Sequence, residues 1–435
     1  MAAASAATPE PIVYGQYTVP HFSEMVNFSV GQVSLRRAPA STMLPLDKIR
    51  QAAAKKFAET DVTFLQYGVV SGYEVFRKSL AAFLAKHYKR GEGREWGEGR
   101  DLSPYVDPER LFATNGVTGG LTLLCSLFTT AGDSVVVEAP SYFLALNIFK
   151  ELGLKVKEVG IDEEGMDVDA LEALCKAGEA PRVVYTVPTF HNPTGYTMSP
   201  ARREKLVALA EEYGFVVFAD EVYQLLGFAD TPEPPPSLCT YDKSEKGCVV
   251  SLGSFSKILA PALRMGWYEA HPALLARVAE SGQLDSSGGI NPVISGIVQV
   301  ALDDGLQEEH LKAVKAELGA RAKKLSSELE KQLPEGCSFA PIGGGYFVWI
   351  KLPEGVEGAP LLAHAAHSHK VRFLPGTKFG GPQLSGRIRL SISFYPPEGI
   401  EVGVARLAEA IRTFVANGCK PVAGDEALKA AAGTR

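Results

Sequence analysis

Short apolar runs recur along the middle of the chain, each closed by turn-forming residues. Ser134–Glu138, Val183–Val187, Phe215–Ala219 and Val249–Leu252 are continuously hydrophobic rather than alternating. Runs of this length, rich in valine and bounded by turn signals, predict strands buried on both faces. Between them the apolar spacing changes to three and four. Ser199-Pro200-Ala201-Arg202 combines a capping serine with proline at the first helical position. Leu206, Leu209 and Ala210 then share a face, and Gly214 ends the run, so a helix is predicted there. Strands alternating with helices predict an α/β fold, with a mostly parallel sheet covered by helices.

The pattern changes near residue 308. Glu308–Leu333 reads as one long, charged, amphipathic helix. After it come strand-like Tyr346–Lys351, Val371–Leu374 and Arg387–Phe394, then a helix near Val402–Val415, which is an α+β pattern. The expected organisation is a large domain over residues 46–307 and a smaller α+β domain over residues 308–435, entered through the long helix. Residues 1–45 are expected to be an irregular arm and part of the small domain, because Pro9, Pro11, Pro20, Pro39 and Pro45 break any helix. Such an arm is placed to wrap a partner subunit. Lys89–Ser103 and Thr231–Pro236 read as solvated loops.

Composition narrows the function classes. Of 435 residues, 46% are hydrophobic and 22% charged, as in an ordinary globular protein long enough for two domains. The net charge of -6, without a basic stripe, argues against a nucleic-acid partner. No apolar run approaches the ~18 residues needed to span a bilayer. The six cysteines form no Cys-x-x-Cys pair and read as reduced thiols. Met1–Glu10 lacks the apolar core of a secretory signal, so a cytoplasmic location is expected.

Five segments carry candidate chemistry. Ser254-Phe255-Ser256-Lys257 follows the run Val249–Leu252, with Arg264 seven residues on. A lysine amine there can condense with an aldehyde cofactor, while two hydroxyls and a guanidinium suit a phosphate. Taken alone, Lys257 reads more readily as a solvated loop lysine. Asp220 and Tyr223, in Asp220-Glu221-Val222-Tyr223, lie at the carboxyl end of another run, where open α/β sheets bind ligands. Asp220 can pair with a protonated pyridine nitrogen and Tyr223 can donate to a ring oxygen; Asp220 can also be a helix cap. Asn192-Pro193-Thr194-Gly195 is a turn that can aim the Asn192 amide at a ligand. Gly116-Val117-Thr118-Gly119-Gly120 leads into a helix expected over Leu121–Thr129, and its backbone N–H groups can surround an anion. Tyr142, just past Ser134–Glu138, can stack on a planar ring or belong to the core.

Individually these are modest signals, but their order along the chain is distinctive. Gly116, Tyr142, Asn192, Asp220, Tyr223, Lys257 and Arg264 together resemble the class I/II aminotransferases of pyridoxal 5′-phosphate fold type I. The resemblance runs from about Tyr67 to Arg389, and the general look is nearest to the aminoadipate/kynurenine-type branch. It implies that Lys257 holds the cofactor and moves the substrate proton. It implies Asp220 as partner of the ring nitrogen, Tyr223 and Asn192 as ligands of the ring oxygen, and Tyr142 as the stacking aromatic. Gly116, Val117, Thr118, Ser254, Ser256 and Arg264 are implied at the phosphate. Tyr67 is implied to reach the phosphate of a neighbouring subunit, which makes a homodimer. Arg389 is implied to grip the substrate carboxylate, with Arg387 on the same strand face as its competitor, and Asn192, Gly31 and Tyr346 are implied beside the substrate. One departure is Val117-Thr118, where many relatives carry a more polar pair; it implies one side-chain bond fewer to the phosphate.

The activity so implied is ping-pong transfer of an amino group from an L-amino acid to a 2-oxo acid. A lyase or synthase on the same scaffold, such as a carbon–sulfur lyase, shares these residues and stays open. A non-catalytic cofactor-binding regulator would want a DNA-binding module, for which residues 1–45 are too short. His364, His367 and His369 lack a fourth ligand, so no metal is expected. Gly343-Gly344-Gly345 precedes a strand rather than a helix and reads as a close backbone approach near the substrate, not a phosphate loop.

Overall fold

The computed structural model describes residues 12–14, 17–19, 21–31, 43–88 and 106–420. They fall into two compact units. The first takes the described residues between 43 and 316, together with 343–345; the second takes those up to 31, 317–342 and 346–420.

The first unit is built on a seven-stranded sheet. Its strands are β1 (Leu111–Thr114), β2 (Ser134–Glu138), β3 (Lys155–Val159), β4 (Val183–Thr186), β5 (Val216–Asp220), β6 (Val249–Ser254) and β7 (Gly266–Ala270). Their spatial order is β1-β7-β6-β5-β4-β2-β3. All run parallel except β7, which is antiparallel to both its neighbours. The fold is α/β, as expected. The four valine runs became β2, β4, β5 and β6 because Val135–Val137, Val183, Val184, Val217, Val249 and Val250 are all buried in the sheet.

Three strands lay outside the sequence reading. β3 is the sheet's edge and leaves Lys155, Val156 and Glu158 exposed, so it has no apolar run. β1 is only four residues long. β7 begins at Gly266 and carries buried Glu269. One helix starts earlier than expected: α1 spans Gly116–Phe128, not Leu121–Thr129. The glycines sit inside it because Tyr268 of β7 packs against that turn. A Cβ on Gly120 would stand 3.0 Å from Tyr268 Cε1, and Tyr268 Oη donates to Gly120 O at 2.7 Å. Tyr142 caps α2 (Phe143–Glu151). The Ser199 signal is realised in α3 (Pro200–Tyr213): Ser199 Oγ accepts from Arg202 N, and Gly214 closes the helix at φ +73°.

Thr231–Pro236 is irregular, but it is not a wholly solvated loop. Pro235 and Pro236 are buried, because their carbonyls accept from Gln224 (2.7 Å) and Arg203 (2.9 Å). Lys89–Ser103 lies outside the described residues.

α4 (Leu306–Gln332) is the expected long helix; its residues to 316 group with the first unit and those from 317 with the second. The second unit has a four-stranded antiparallel sheet in the order β8-β9-β11-β10. These are β8 (Ser338–Phe339), β9 (Phe347–Lys351), β10 (Leu374–Pro375) and β11 (Arg387–Ser391), with α5 (Pro397–Ala416) following. Val371–Leu374 is not one strand: Val371–Arg372 pairs in parallel with Val26–Asn27, and Leu374 belongs to β10. The N-terminal segment is correspondingly less irregular than its prolines suggest. Ile12–Tyr14 and Tyr17–Val19 also form an antiparallel pair. Among the described residues no helix is long and apolar enough to cross a membrane.

Candidate active site

The sheet's geometry gathers the candidates of the first unit. β4, β5 and β6 are adjacent and parallel, so their carboxyl ends share one edge. Asp220 ends β5, Ser254 ends β6, and Lys257 lies in the turn that follows. Asp220 is buried. Its Oδ2 accepts from Tyr185 Oη of β4 at 2.8 Å, a contact set by the register Phe218↔Tyr185. Its Oδ1 is buried without a hydrogen-bond partner. Burial pushes the Asp220 carboxyl up to about 6; the Tyr185 hydrogen bond, a backbone hydrogen bond from Val222 and the positive charge of Lys257 pull the other way. A carboxylate with one oxygen satisfied and one waiting, near a lysine ammonium, suits a cationic ring nitrogen.

Further polar groups of this unit are also taken out of water. Asn192, Tyr223 and His191 are buried, and burial pushes His191 down to about 3, so its imidazole is neutral. Glu138, the last residue of β2, is pushed up to about 7 by burial; Thr186 Oγ1 donates to its Oε1. Tyr142 is half-buried at the start of α2.

The phosphate candidates converge on the first turn of α1. Gly116 adopts φ +65°, and a Cβ there would lie 2.5 Å from Arg264 Nη2. The glycine therefore lets the guanidinium lie over the helix N-terminus, where N–H groups are unpaired by the helix itself. Arg264 is held at φ +51°, and its Nη1 donates to Pro261 O (2.9 Å) and Ser256 Oγ (3.4 Å). Val117 and Thr118 follow in the same turn, with Thr118 exposed. Ser254 is placed differently from Ser256: its hydroxyl accepts from Ser256 N (3.0 Å) and donates to Met265 O (3.4 Å). Tyr67 is 77% exposed, and Gly68 N donates to Gly288 O at 3.0 Å.

In the second unit the structure separates the two candidate arginines. Arg389 is buried; its guanidinium lies 3.9 Å from the Phe347 ring centre and 5.0 Å from that of Phe379, and its Nη2 donates to Ser29 O at 3.0 Å. Gly31 is beside it: a Cβ there would be 4.0 Å from Arg389 Nη2 and 2.9 Å from Phe347 Cζ. Arg387 is paired in register with Lys351 at the far end of β11. Tyr346 is fully buried.

Two side features are absorbed by structure. His364 Nε2 and His369 Nε2 both meet Thr413 Oγ1, at 3.0 and 2.9 Å, and no metal-binding cluster of three or more residues occurs among the described residues. Gly343–Gly345 makes its close approach to Phe190: a Cβ on Gly344 would lie 2.4 Å from Phe190 Cζ. The residues that sequence reasoning missed are Tyr185, Glu138, Phe347 and Phe379. Each has an ordinary apolar or strand context in the sequence and acquires its contact from a residue of another element.

Pyridoxal 5′-phosphate carries an aldehyde, a pyridine nitrogen and a phosphate. Lys257, the buried Asp220 carboxyl and the Gly116–Arg264 pair would suit these in turn. The fold and this set of groups define a fold type I pyridoxal 5′-phosphate enzyme. Residues 23–407 match the family model for aminotransferase class I and II, and the chain belongs to that family. It is 31% identical to aromatic-amino-acid aminotransferase 1 of Thermococcus litoralis over 379 residues, covering 86% of each chain. It is also 31% identical to 2-aminoadipate transaminase of Thermus thermophilus, covering 87% of this chain and 89% of the relative. Kynurenine aminotransferase of Pyrococcus horikoshii, solved with pyridoxamine phosphate and kynurenine, superposes with a TM-score of 0.77 at 29% identity, over 90% of this chain and 91% of its own. The protein is a pyridoxal 5′-phosphate-dependent aminotransferase.

Proposed function

We propose that the protein moves an amino group from an L-amino acid to a 2-oxo acid by a ping-pong cycle, with Lys257 as both cofactor anchor and proton carrier. The observation that supports the residue assignment is the buried Asp220, whose Oδ2 accepts from Tyr185 and whose charge faces that of Lys257 at the carboxyl edge of the sheet.

When bound, pyridoxal 5′-phosphate supplies an electron sink conjugated to the substrate Cα. Asp220 keeps the ring nitrogen protonated. Tyr223 and Asn192 hold the ring oxygen, and Tyr142 packs the ring face. Gly116, Val117, Thr118, Ser256 and Arg264 bind the phosphate, with Ser254 orienting Ser256. Arg389, braced by Phe347 and Phe379, takes the substrate carboxylate in a bidentate grip, and Gly31 leaves room for it. Asn192 and Tyr346 border the substrate. Lys257 Nζ would take the substrate Cα proton and hold it for return at the carbon that joins the imine to the ring.

We place a second copy of the chain at Tyr67, which would complete the partner's phosphate site. Phe57, Val62, Leu65, Tyr67 and Val69 are all more than half exposed, an apolar surface that favours association. A cytoplasmic location fits six free cysteines.

The test is a half-reaction. Purified protein is mixed with donors, starting with aromatic amino acids, kynurenine and 2-aminoadipate, and no oxo acid. One equivalent of oxo acid per subunit, with bleaching reversed by 2-oxoglutarate, is expected; Lys257→Ala abolishes it. Many equivalents of oxo acid and ammonia without an acceptor would replace transamination with a lyase reaction.

A further inference from the structure

Arg203 of α3 is completely buried. A guanidinium keeps its charge in any protein environment, so its burial requires that its N–H groups be paired. Its Nε donates to Met198 O at 3.0 Å. Its Nη1 donates to Pro236 O at 2.9 Å and stands 3.5 Å from Glu221 Oε1. Its Nη2 donates to Pro188 O and to Thr189 Oγ1, both at 2.8 Å.

These partners are the supports of the cofactor site. Pro188 and Met198 are the two feet of the loop that carries Asn192, and Met198 N itself donates to Pro188 O at 2.8 Å. Glu221 follows Asp220, and its Oε1 also accepts from Leu238 N at 2.8 Å. Thr189 Oγ1 donates to Gln224 Oε1 at 2.6 Å, and Gln224 Nε2 donates to Pro235 O at 2.7 Å. One buried cation thus ties the base of the Asn192 loop to the turn after Asp220 and to the end of the proline-rich segment. Stability alone does not account for such a network, because buried ion pairs are commonly replaceable by packed apolar groups without loss.

We propose that Arg203 is a positioning residue: it fixes Asn192 relative to Asp220, and through them the electronic state of the ring. The proposal rests on the assignment of those two residues to the cofactor. It makes the segment at Pro235–Pro236 part of the catalytic scaffold rather than a decoration.

The experiment uses Arg203→Lys, Arg203→Met and Thr189→Val in the full chain. Two properties other than turnover are read: the pH titration of the visible band of the Lys257-bound cofactor, and amide exchange of residues 189–198 in cofactor-free protein. Expected are a shift of the spectral midpoint by about half a pH unit or more, exchange at least ~10-fold faster in 189–198, and kcat lower by about 10- to 100-fold. Folded variants with the wild-type midpoint and wild-type exchange would overturn the proposal. If Arg203→Met fails to fold, Thr189→Val decides, since it removes one hydroxyl and buries no charge. Failure of the cofactor assignment reads differently: Lys257→Ala would then keep its visible band, whatever happens at Arg203.

Discussion

Asp220→Asn is expected to make the cofactor-free protein relatively more stable as pH rises while nearly abolishing its activity. The wild-type carboxyl goes from an ordinary value of 3.8 to about 6 on folding, chiefly through burial. A carboxyl whose folded-state value lies above its unfolded one keeps its proton longer in the folded chain. Folding is then disfavoured progressively as pH rises through 3.8 to about 6, and the full penalty persists above that window. About two pH units correspond to about 3 kcal/mol. Asparagine cannot ionise, so it lacks this penalty. Its buried amide has a cost of its own, of about 1–3 kcal/mol, but that cost is independent of pH and cancels from the slope. The assay is denaturant unfolding of the cofactor-free wild type and variant at pH 4, 5, 6 and 7.5. The variant's stability minus the wild type's should climb by about 2.5 kcal/mol across that range, while kcat of the reconstituted variant falls ~100-fold or more. A difference that stays flat between pH 4 and 6 would refute the burial argument. A difference that falls would mean that Asp220 is ion-paired rather than held in reserve.

Tyr185→Phe removes the one hydroxyl bonded to Asp220 Oδ2 and should raise that carboxyl by a further ~1–2 pH units; a pH profile of cofactor binding unchanged from wild type would argue against it. Gly116→Ala places a methyl 2.5 Å from Arg264 Nη2 at a positive φ, so cofactor affinity should drop ~10-fold or more, read by fluorescence titration. Arg389→Lys should raise KM for both amino acid and oxo acid ~100-fold through loss of the bidentate grip, and Arg387→Lys should leave both within about twofold. The reverse ranking in steady-state kinetics would exchange their roles.

The part of this molecule that sequence made legible is the part determined locally. Valine runs declare a strand buried on both faces, and Ser199-Pro200 with Gly214 declares the two ends of a helix. β3 was invisible because an edge strand has one unpaired side and carries Lys155, Lys157 and Glu158. β7 is hidden because its first residue is a glycine and Glu269 interrupts its short apolar stretch. The glycines of α1 looked like a loop, since nothing near them in the chain announces Tyr268. The candidate site divides in the same way. Lys257, Asp220 and Asn192 stand out as residues of turns after strands, and only their order along the chain, through the family resemblance, proposes roles for them. Tyr185 does not stand out, because strand register alone puts it on Asp220, 35 residues away. Phe347 likewise meets Arg389 only through the pairing of β9 with β11.

The order of strands across the large sheet has a consequence for how the protein matures. The candidate groups of the large unit come from the ends of strands that are distant in sequence, and β1 and β7 are adjacent only after every strand between them in the chain has been made. Contacts of such long sequence separation form late and slowly. A ligand that binds only the finished fold then draws the population toward it by mass action. The yellow colour of a culture expressing this chain should therefore report completed folding, and vitamin B6 supply should set the yield of protein that survives proteolysis.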